Sequence, residues 1–219
     1  MSFKKNKFTI IKKAISKDLA TFLYNYLLMK RQVAKTLFDY KFISPFTEYF
    51  GVWTDKQVPN TYSHYSDIAM ETLLLKCQSA MEKFTKTKLI PMYSYTRIYK
   101  KGDELKRHKD RPSCEISTTL NLGGDPWPIY LSPTENVGFP DGKNITMRSN
   151  SKGKKINLKP GDMLVYSGCV LEHWREKFEG QDCAQVFLHY NNIKSPIAEQ
   201  FDGRLHLGLP AWFKRTPNG

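Results

Sequence analysis

The sequence predicts an α+β chain that is mostly β, a jelly roll of short antiparallel strands behind an N-terminal helical region. Three observations lead there. Beyond Pro91 the apolar residues recur with period two in many short runs, the spacing of half-buried strands. Turn sequences punctuate those runs: Gly123-Gly124-Asp125-Pro126, Pro140-Asp141-Gly142 and Lys159-Pro160-Gly161-Asp162. Before Pro91 the spacing is helical, and an aromatic content of 13% suits a β-rich interior. Short strands with such punctuation form a sandwich or a double-sheet jelly roll.

Residues 8–11 open as a short strand. Ser16 then supplies an N-cap, because its hydroxyl can accept from the free amides of a first turn. Leu19, Phe22, Leu23, Tyr26, Leu27 and Val33 follow at helical spacing. Between 40 and 62 the pattern is aromatic and irregular, broken by Pro45 and Pro59. A second helix starts after Ser66-Asp67, with Leu74, Cys77, Met81 and Phe84 as the stripe that faces a sheet. Residues 92–99 form a strand with Tyr93, Tyr95, Arg97 and Tyr99 on one face. Further strands are expected at 105–108, 115–122, 129–131, 145–148, 155–158, 163–166, 172–175 and 184–190. The chain divides into a helical support region at 1–90, a strand-rich core at 91–193 and an irregular arm at 194–219, all within one compact domain.

A formal charge of +13, from 34 basic and 21 acidic residues, implies attraction to anions such as nucleic acid, an anionic cosubstrate or an acidic polypeptide. Cys77, Cys114, Cys169 and Cys183 show neither Cys-x-x-Cys pairing nor zinc-finger spacing, so free thiols are expected. No stretch has the length and apolarity of a membrane span or the layout of a signal peptide, which reads as cytoplasmic, or host cytoplasm for a viral chain.

His108-Lys109-Asp110 and the later His173 carry the chemistry. In an extended segment i and i+2 share a side, so His108 and Asp110 can meet one ion while Lys109 points away. Two histidines and a carboxylate on one face of a metal leave the opposite positions open, the arrangement of non-haem Fe(II) sites that activate O2. A lone His-x-Asp among five histidines is weak by itself. His189 sits in an apolar run and reads as a hydrogen-bonded barrel residue; His64 and His206 have no evident partner; Trp174 faces away from His173 and reads as packing.

The order of signals from Tyr93 to Asn191 gives the tripeptide its context. Tyr99-x-x-Gly102 precedes His108-x-Asp110, a strand follows, and Pro160-Gly161-Asp162 turns into Met163-Leu164-Val165-Tyr166 before His173. This order resembles the catalytic domain of the 2-oxoglutarate and Fe(II)-dependent oxygenases, in particular the prolyl 4-hydroxylase-like branch of viral and bacterial type. Ser63-His64-Tyr65-Ser66-Asp67 before a long helix is similar to that branch's support helices. The resemblance implies a double-stranded β-helix and His108, Asp110 and His173 as the metal ligands. It implies Fe(II), 2-oxoglutarate and O2, with ascorbate as a further candidate, and no catalytic side chain beyond the ligands.

One departure matters. The family commonly places a basic residue on the strand after the distal histidine to hold the far carboxylate of 2-oxoglutarate. Here that region reads Asp182-Cys183-Ala184-Gln185, with no cation. Arg175 is the candidate replacement, because it shares a strand face with His173 and a guanidinium can grip a carboxylate with two bonds. Arg97 is the alternative. Tyr99 stands where the resembling enzymes place a phenol beside the cosubstrate.

The expected reaction is hydroxylation of a side chain in a peptide or protein, with prolyl as the first candidate and the segment at 123–158 flanking a groove. The competing expectations are the same iron chemistry on nucleic acid, suggested by the charge with Lys143, Arg148, Lys152, Lys154 and Lys155, and a non-catalytic jelly-roll binding protein.

Overall fold

The computed structural model describes residues 3–44, 46–133 and 151–214. After a single helical turn, α1 (Phe3–Asn6), come β1 (Phe8–Ile11), α2 (Lys17–Asp39), β2 (Tyr62–Tyr65) and α3 (Ile68–Thr85). The strand-rich part continues with β3 (Leu89–Lys100), β4 (Leu105–His108), β5 (Ile116–Gly124), β6 (Ile129–Leu131), β7 (Lys154–Ile156), β8 (Met163–Tyr166), β9 (His173–Arg175) and β10 (Asp182–Asn192). The strands form two antiparallel sheets. The major sheet has six strands in the order β1-β8-β5-β10-β3-β2, and the minor sheet has four in the order β4-β9-β6-β7. This is a jelly roll.

Alternation along the major sheet builds two interiors. One face turns Ile98, Leu120, Leu122, Met163, Val165, Val186 and Leu188 toward Leu23 and Leu27 of α2 and Leu74, Cys77 and Met81 of α3. The opposite face points into the barrel, where Leu164 and Tyr166 pack with Ile129, Leu131 and Ile156 of the minor sheet. Ser16 caps α2, its hydroxyl accepting from the Leu19 amide at 3.2 Å, and Asp67 caps α3, accepting from Met70 at 3.0 Å. The helices thus brace the sheet from outside and leave its other face to the site.

Several expectations change. Phe22 and Val33 face solvent, 68% and 45% exposed, and so does Phe84 at 40%. A helix of 23 residues buries only the stripe that meets the sheet, which here runs through Ala20, Leu23, Leu27 and Ala34. The strand expected to open after Pro91 begins at Leu89. Pro91 is accommodated because the β3–β10 register shifts between His189 and Tyr190, next to its partner Tyr190. β2 was not among the expected strands and begins where the irregular stretch ends; as an edge strand covered on both faces it shows no alternation. The turn Pro140-Asp141-Gly142, the strand at 145–148, Lys143 and Arg148 lie outside the described residues. All four cysteines are free. Among the described residues no helix is long and apolar enough to cross a membrane.

The C-terminal arm is tied to the core by a buried ion pair. Arg204 donates to Glu71 of α3 at 2.8 Å, with side chains 0% and 2% exposed, and to the carbonyls of Met92 and Leu209. Arg204→Met leaves the Glu71 carboxylate buried without its counter-charge and is expected to destabilise the fold by about 3–5 kcal/mol. Urea unfolding at neutral pH reads this out, and a loss below about 1 kcal/mol, the range of exposed pairs, would refute it.

Candidate metal centre and cosubstrate site

β4 and β9 pair so that His108 stands opposite His173, and their rings approach to 4.2 Å between centroids. β4 ends at His108, so Asp110 does not reach the site along a strand. Its backbone N–H donates to Gly168 O at 2.9 Å, which folds the chain back and aims the carboxylate between the imidazoles. Lys109 between them is buried. Asp110 Oδ1 lies 3.3 Å from His173 Nε2 and 3.6 Å from His108 Nε2. Ligand atoms at right angles around an ion with bonds of about 2.1 Å stand roughly 3 Å apart, so a small inward shift completes such a set.

The far nitrogens fix the tautomers. His108 Nδ1 donates to Lys106 O at 2.7 Å and His173 Nδ1 to Leu171 O at 3.0 Å. A carbonyl can only accept, so each Nδ1 carries the proton and each Nε2 offers a lone pair to the centre. Asp110 Oδ2 accepts from Ser117 Oγ at 2.8 Å, leaving Oδ1 for the ion.

Burial pushes His108 down to about 4, with His173 adding to the effect. For His173 burial acts the same way, but the Asp110 carboxylate outweighs it and the net shift is upward. Burial alone would raise Asp110, yet His173 and His108 hold it below the ordinary carboxylate range. A metal ion therefore competes with the proton that Asp110 favours on His173. Affinity for Zn(II) or Fe(II) is expected to rise with pH until that proton is gone, and to fall in acid as both imidazoles protonate. Titration calorimetry across pH 5–8 checks the sign, and affinity flat over that range would contradict it.

Gly168 makes this packing possible. A Cβ there would lie 2.3 Å from Asp110 Oδ2 and 2.5 Å from Cys114 O. Gly168→Ala is expected to displace Asp110 and lower metal affinity by ten- to a hundredfold, the scale of lost supporting contacts. An unchanged affinity would show that the loop yields.

A cavity of about 200 Å³ opens above the three side chains. Tyr93, Tyr95, Arg97, Arg111, Tyr166, Phe187 and His189 form much of its wall. Asp110 also lies near Cys114 and His189, a second grouping of potential ligands. Burial raises the Cys114 thiol well above its usual range, and it contacts Tyr93 Oη at 2.9 Å, so it is a packed thiol rather than a metal-binding thiolate.

Arg175, the next inward position after His173 on β9, is 1% exposed. Its guanidinium donates to Trp127 O at 2.5 Å and Thr119 Oγ1 at 3.2 Å, while its Nε has no hydrogen-bond partner among the described residues. No carboxylate among the described residues pairs with it, and burial lowers its pKa. Arg97 is among the residues that line the cavity, and Arg175 is not. Arg97 is in a different position. It is equally buried but already bound by Asp55 and Gln57, and its NH1 reaches Tyr99 Oη at 3.3 Å. Tyr99 is fully buried between Arg97 and Trp127. Among the described residues Arg97 has an acidic partner, Asp55, and Arg175 has none.

Sequence reasoning missed Asp55 and Gln57, which come from the irregular stretch after α2, and Ser117, one of several hydroxyl residues on β5. His64 does have a neighbour, Asp67, at 3.4 Å. Trp174 faces outward as expected, stacked on Tyr130 at 5.6 Å and covered by Arg107.

No protein-family model matches the chain, and no curated protein matches it in sequence. Solved structures share its fold. A Pseudomonas putida prolyl-4-hydroxylase superposes with a TM-score of 0.53 at 13% identity, covering 87% of this chain and 95% of that one. HygX from Streptomyces hygroscopicus, solved with nickel, 2-oxoglutarate and hygromycin B, gives 0.58 at 12% identity, covering 88% and 85%. The non-heme alpha ketoglutarate dependent epimerase SnoN from nogalamycin biosynthesis gives 0.63 at 9% identity, covering 99% and 93%. The architecture is thus the jelly roll shared by these 2-oxoglutarate-dependent enzymes.

Proposed function

We propose that the chain is a 2-oxoglutarate- and Fe(II)-dependent dioxygenase that hydroxylates a side chain in a peptide or protein, with prolyl as the first candidate. One observation carries the reading: two Nε2 lone pairs and a carboxylate converge in a barrel that also buries a guanidinium with no carboxylate partner among the described residues. The donor set fits iron, because neutral imidazoles suit Fe(II) and the carboxylate offsets part of its charge. The guanidinium fits the far end of 2-oxoglutarate, since a buried cation is expensive until an anion joins it.

Iron and 2-oxoglutarate bound here supply an oxidant able to take hydrogen from an unactivated C–H bond, with succinate and CO2 as co-products. His108, Asp110 and His173 would hold the metal on one side and leave its other positions open. Ser117 keeps Asp110 from rotating. Trp127 O and Thr119 fix the plane of Arg175, so its remaining donors can meet a carboxylate with little loss of side-chain entropy. Asp55, bound to Arg97 and accepting from Tyr95 Oη, anchors the irregular segment after α2 against the cavity. That segment helps keep water from the reacting atoms.

The peptide assignment rests on the prolyl-hydroxylase-like order of motifs and on the aromatic cavity wall. The structural neighbours range from a prolyl-4-hydroxylase to a carbocyclase and an epimerase, so fold alone does not choose. Nucleic acid has less support. Lys154 and Lys155 lie on β7, and Lys12 and Lys13 just after β1; both are edge strands, where lysines guard against edge-to-edge pairing. The test is anaerobic loading with Fe(II), then 2-oxoglutarate and O2 with and without proline-containing peptides. Stoichiometric succinate is expected, and none under either condition would refute the reading.

A further inference from the structure

We infer that His189 binds the substrate by accepting a hydrogen bond from one of its N–H groups, through an Nε2 lone pair that Ser117 holds toward the cavity. The inference rests on the dioxygenase reading above and adds the chemistry that the substrate must present.

His189 occupies one rung of inward-facing residues across the major sheet. Its register partners are Ser117 on β5 and Tyr93 on β3, and Ser117 pairs in turn with Tyr166 on β8. Ser117 Oγ has three polar neighbours: Asp110 Oδ2 at 2.8 Å, Cys114 O at 3.0 Å and His189 Nδ1 at 3.0 Å. The Cys114 carbonyl can only accept, and toward the Asp110 carboxylate Ser117 Oγ is likewise placed as the donor. The single hydroxyl proton is therefore committed to one of them, and toward His189 the serine oxygen must itself accept. Nδ1 carries the ring proton, which leaves Nε2 as a pure acceptor.

No hydrogen bond to Nε2 is found among the described residues, although the ring is 6% exposed and forms part of the cavity wall. The Tyr93 ring packs on it at 4.5 Å and holds its plane. His189 lines a cavity that the metal ligands also line, and a buried acceptor on such a wall calls for a donor when the cavity fills. 2-Oxoglutarate, as a dianion, would offer only acceptors, so the donor falls to the substrate. Secondary amide N–H groups are the donors a peptide carries everywhere except at proline. If proline is the oxidised residue, the N–H comes from a flanking residue.

The test uses Fe(II)-loaded protein and a panel of acetylated tripeptide amides, each paired with its backbone N-methylated counterpart. Peptide-stimulated succinate formation gives a KM for each member. In the wild type N-methylation at one position is expected to raise KM about tenfold, the scale of one neutral hydrogen bond. His189→Leu should show the higher KM for the N–H peptide and no discrimination between the pair. His189→Gln, with an amide oxygen near the place of Nε2, should keep most of it. Ser117→Ala should weaken discrimination and Ser117→Thr restore it, because the hydroxyl acts by setting the tautomer. Full discrimination in His189→Leu would overturn the inference. So would a wild type that turns over 2-oxoglutarate yet responds to no peptide, whereas no succinate at all would overturn the dioxygenase reading beneath it. Nitrogen-15 NMR of Zn(II)-loaded wild type with N-oxalylglycine tests the tautomer directly: protonated Nδ1 is expected, and protonated Nε2 refutes it.

Discussion

Arg175→Met is expected to leave the fold as stable as the wild type, or more so, while 2-oxoglutarate affinity falls by at least about a hundredfold. The two halves come from one fact: the guanidinium is buried against a carbonyl and a hydroxyl, with no carboxylate pairing with it among the described residues. Replacing such a charge by an apolar side chain of similar length is neutral or stabilising by roughly 1–4 kcal/mol. Removing one partner of a buried charge-assisted pair in the complex costs about 2–5 kcal/mol of binding. Thermal melting and calorimetric titration of N-oxalylglycine into the Zn(II)-loaded protein measure both. A structural arginine would behave in the opposite way, with lower stability and unchanged affinity. Unchanged affinity would pass the cosubstrate role to Arg97, which would first have to give up Asp55.

Asp110→Ala is expected to abolish turnover and reduce metal affinity by well over a hundredfold, since supporting contacts alone account for ten to a hundredfold. It should also change how stability depends on pH. Asp110 raises the pKa of His173, so the pair stabilises the wild type below the unfolded histidine's pKa of about 6.5, and this is lost as pH rises through the raised folded value. In chelator, the variant should therefore be less stable than wild type at about pH 5.5, with the gap narrowing toward pH 8. A gap that widened with pH would mean that the proton does not reside where the geometry puts it.

Both residues were legible in the sequence, for different reasons. Arg175 follows from strand alternation: β9 is regular, so His173 and Arg175 point inward and Trp174 outward. Asp110 followed from a motif whose assumed geometry was only half right. β4 stops at His108, and the carboxylate arrives through the Asp110–Gly168 backbone contact. What alternation could not reveal is which arginine is already neutralised. Asp55 comes from a stretch with no periodicity, and its pairing with Arg97 joins residues that no local pattern links. The Glu71–Arg204 pair was invisible for the same reason. Helical spacing marked Phe22, Val33 and Phe84 as apolar but not which side of each helix the sheet would cover. His189 was legible as a barrel residue; its contact with Ser117, which also holds Asp110, emerges only from the sheet register.

His108, Asp110 and His173 would hold iron, and Arg175 would take the far carboxylate of 2-oxoglutarate bound beside it. Anaerobic titration of the Fe(II)-loaded protein with 2-oxoglutarate tests this claim most directly, through the visible metal-to-ligand charge-transfer band of a 2-oxo acid chelated to Fe(II). The expected result is a band that saturates at one equivalent of iron in the wild type, needs far more 2-oxoglutarate in Arg175→Met, and is absent in Asp110→Ala. A wild type that binds iron yet shows no such band at saturating 2-oxoglutarate would contradict the claim.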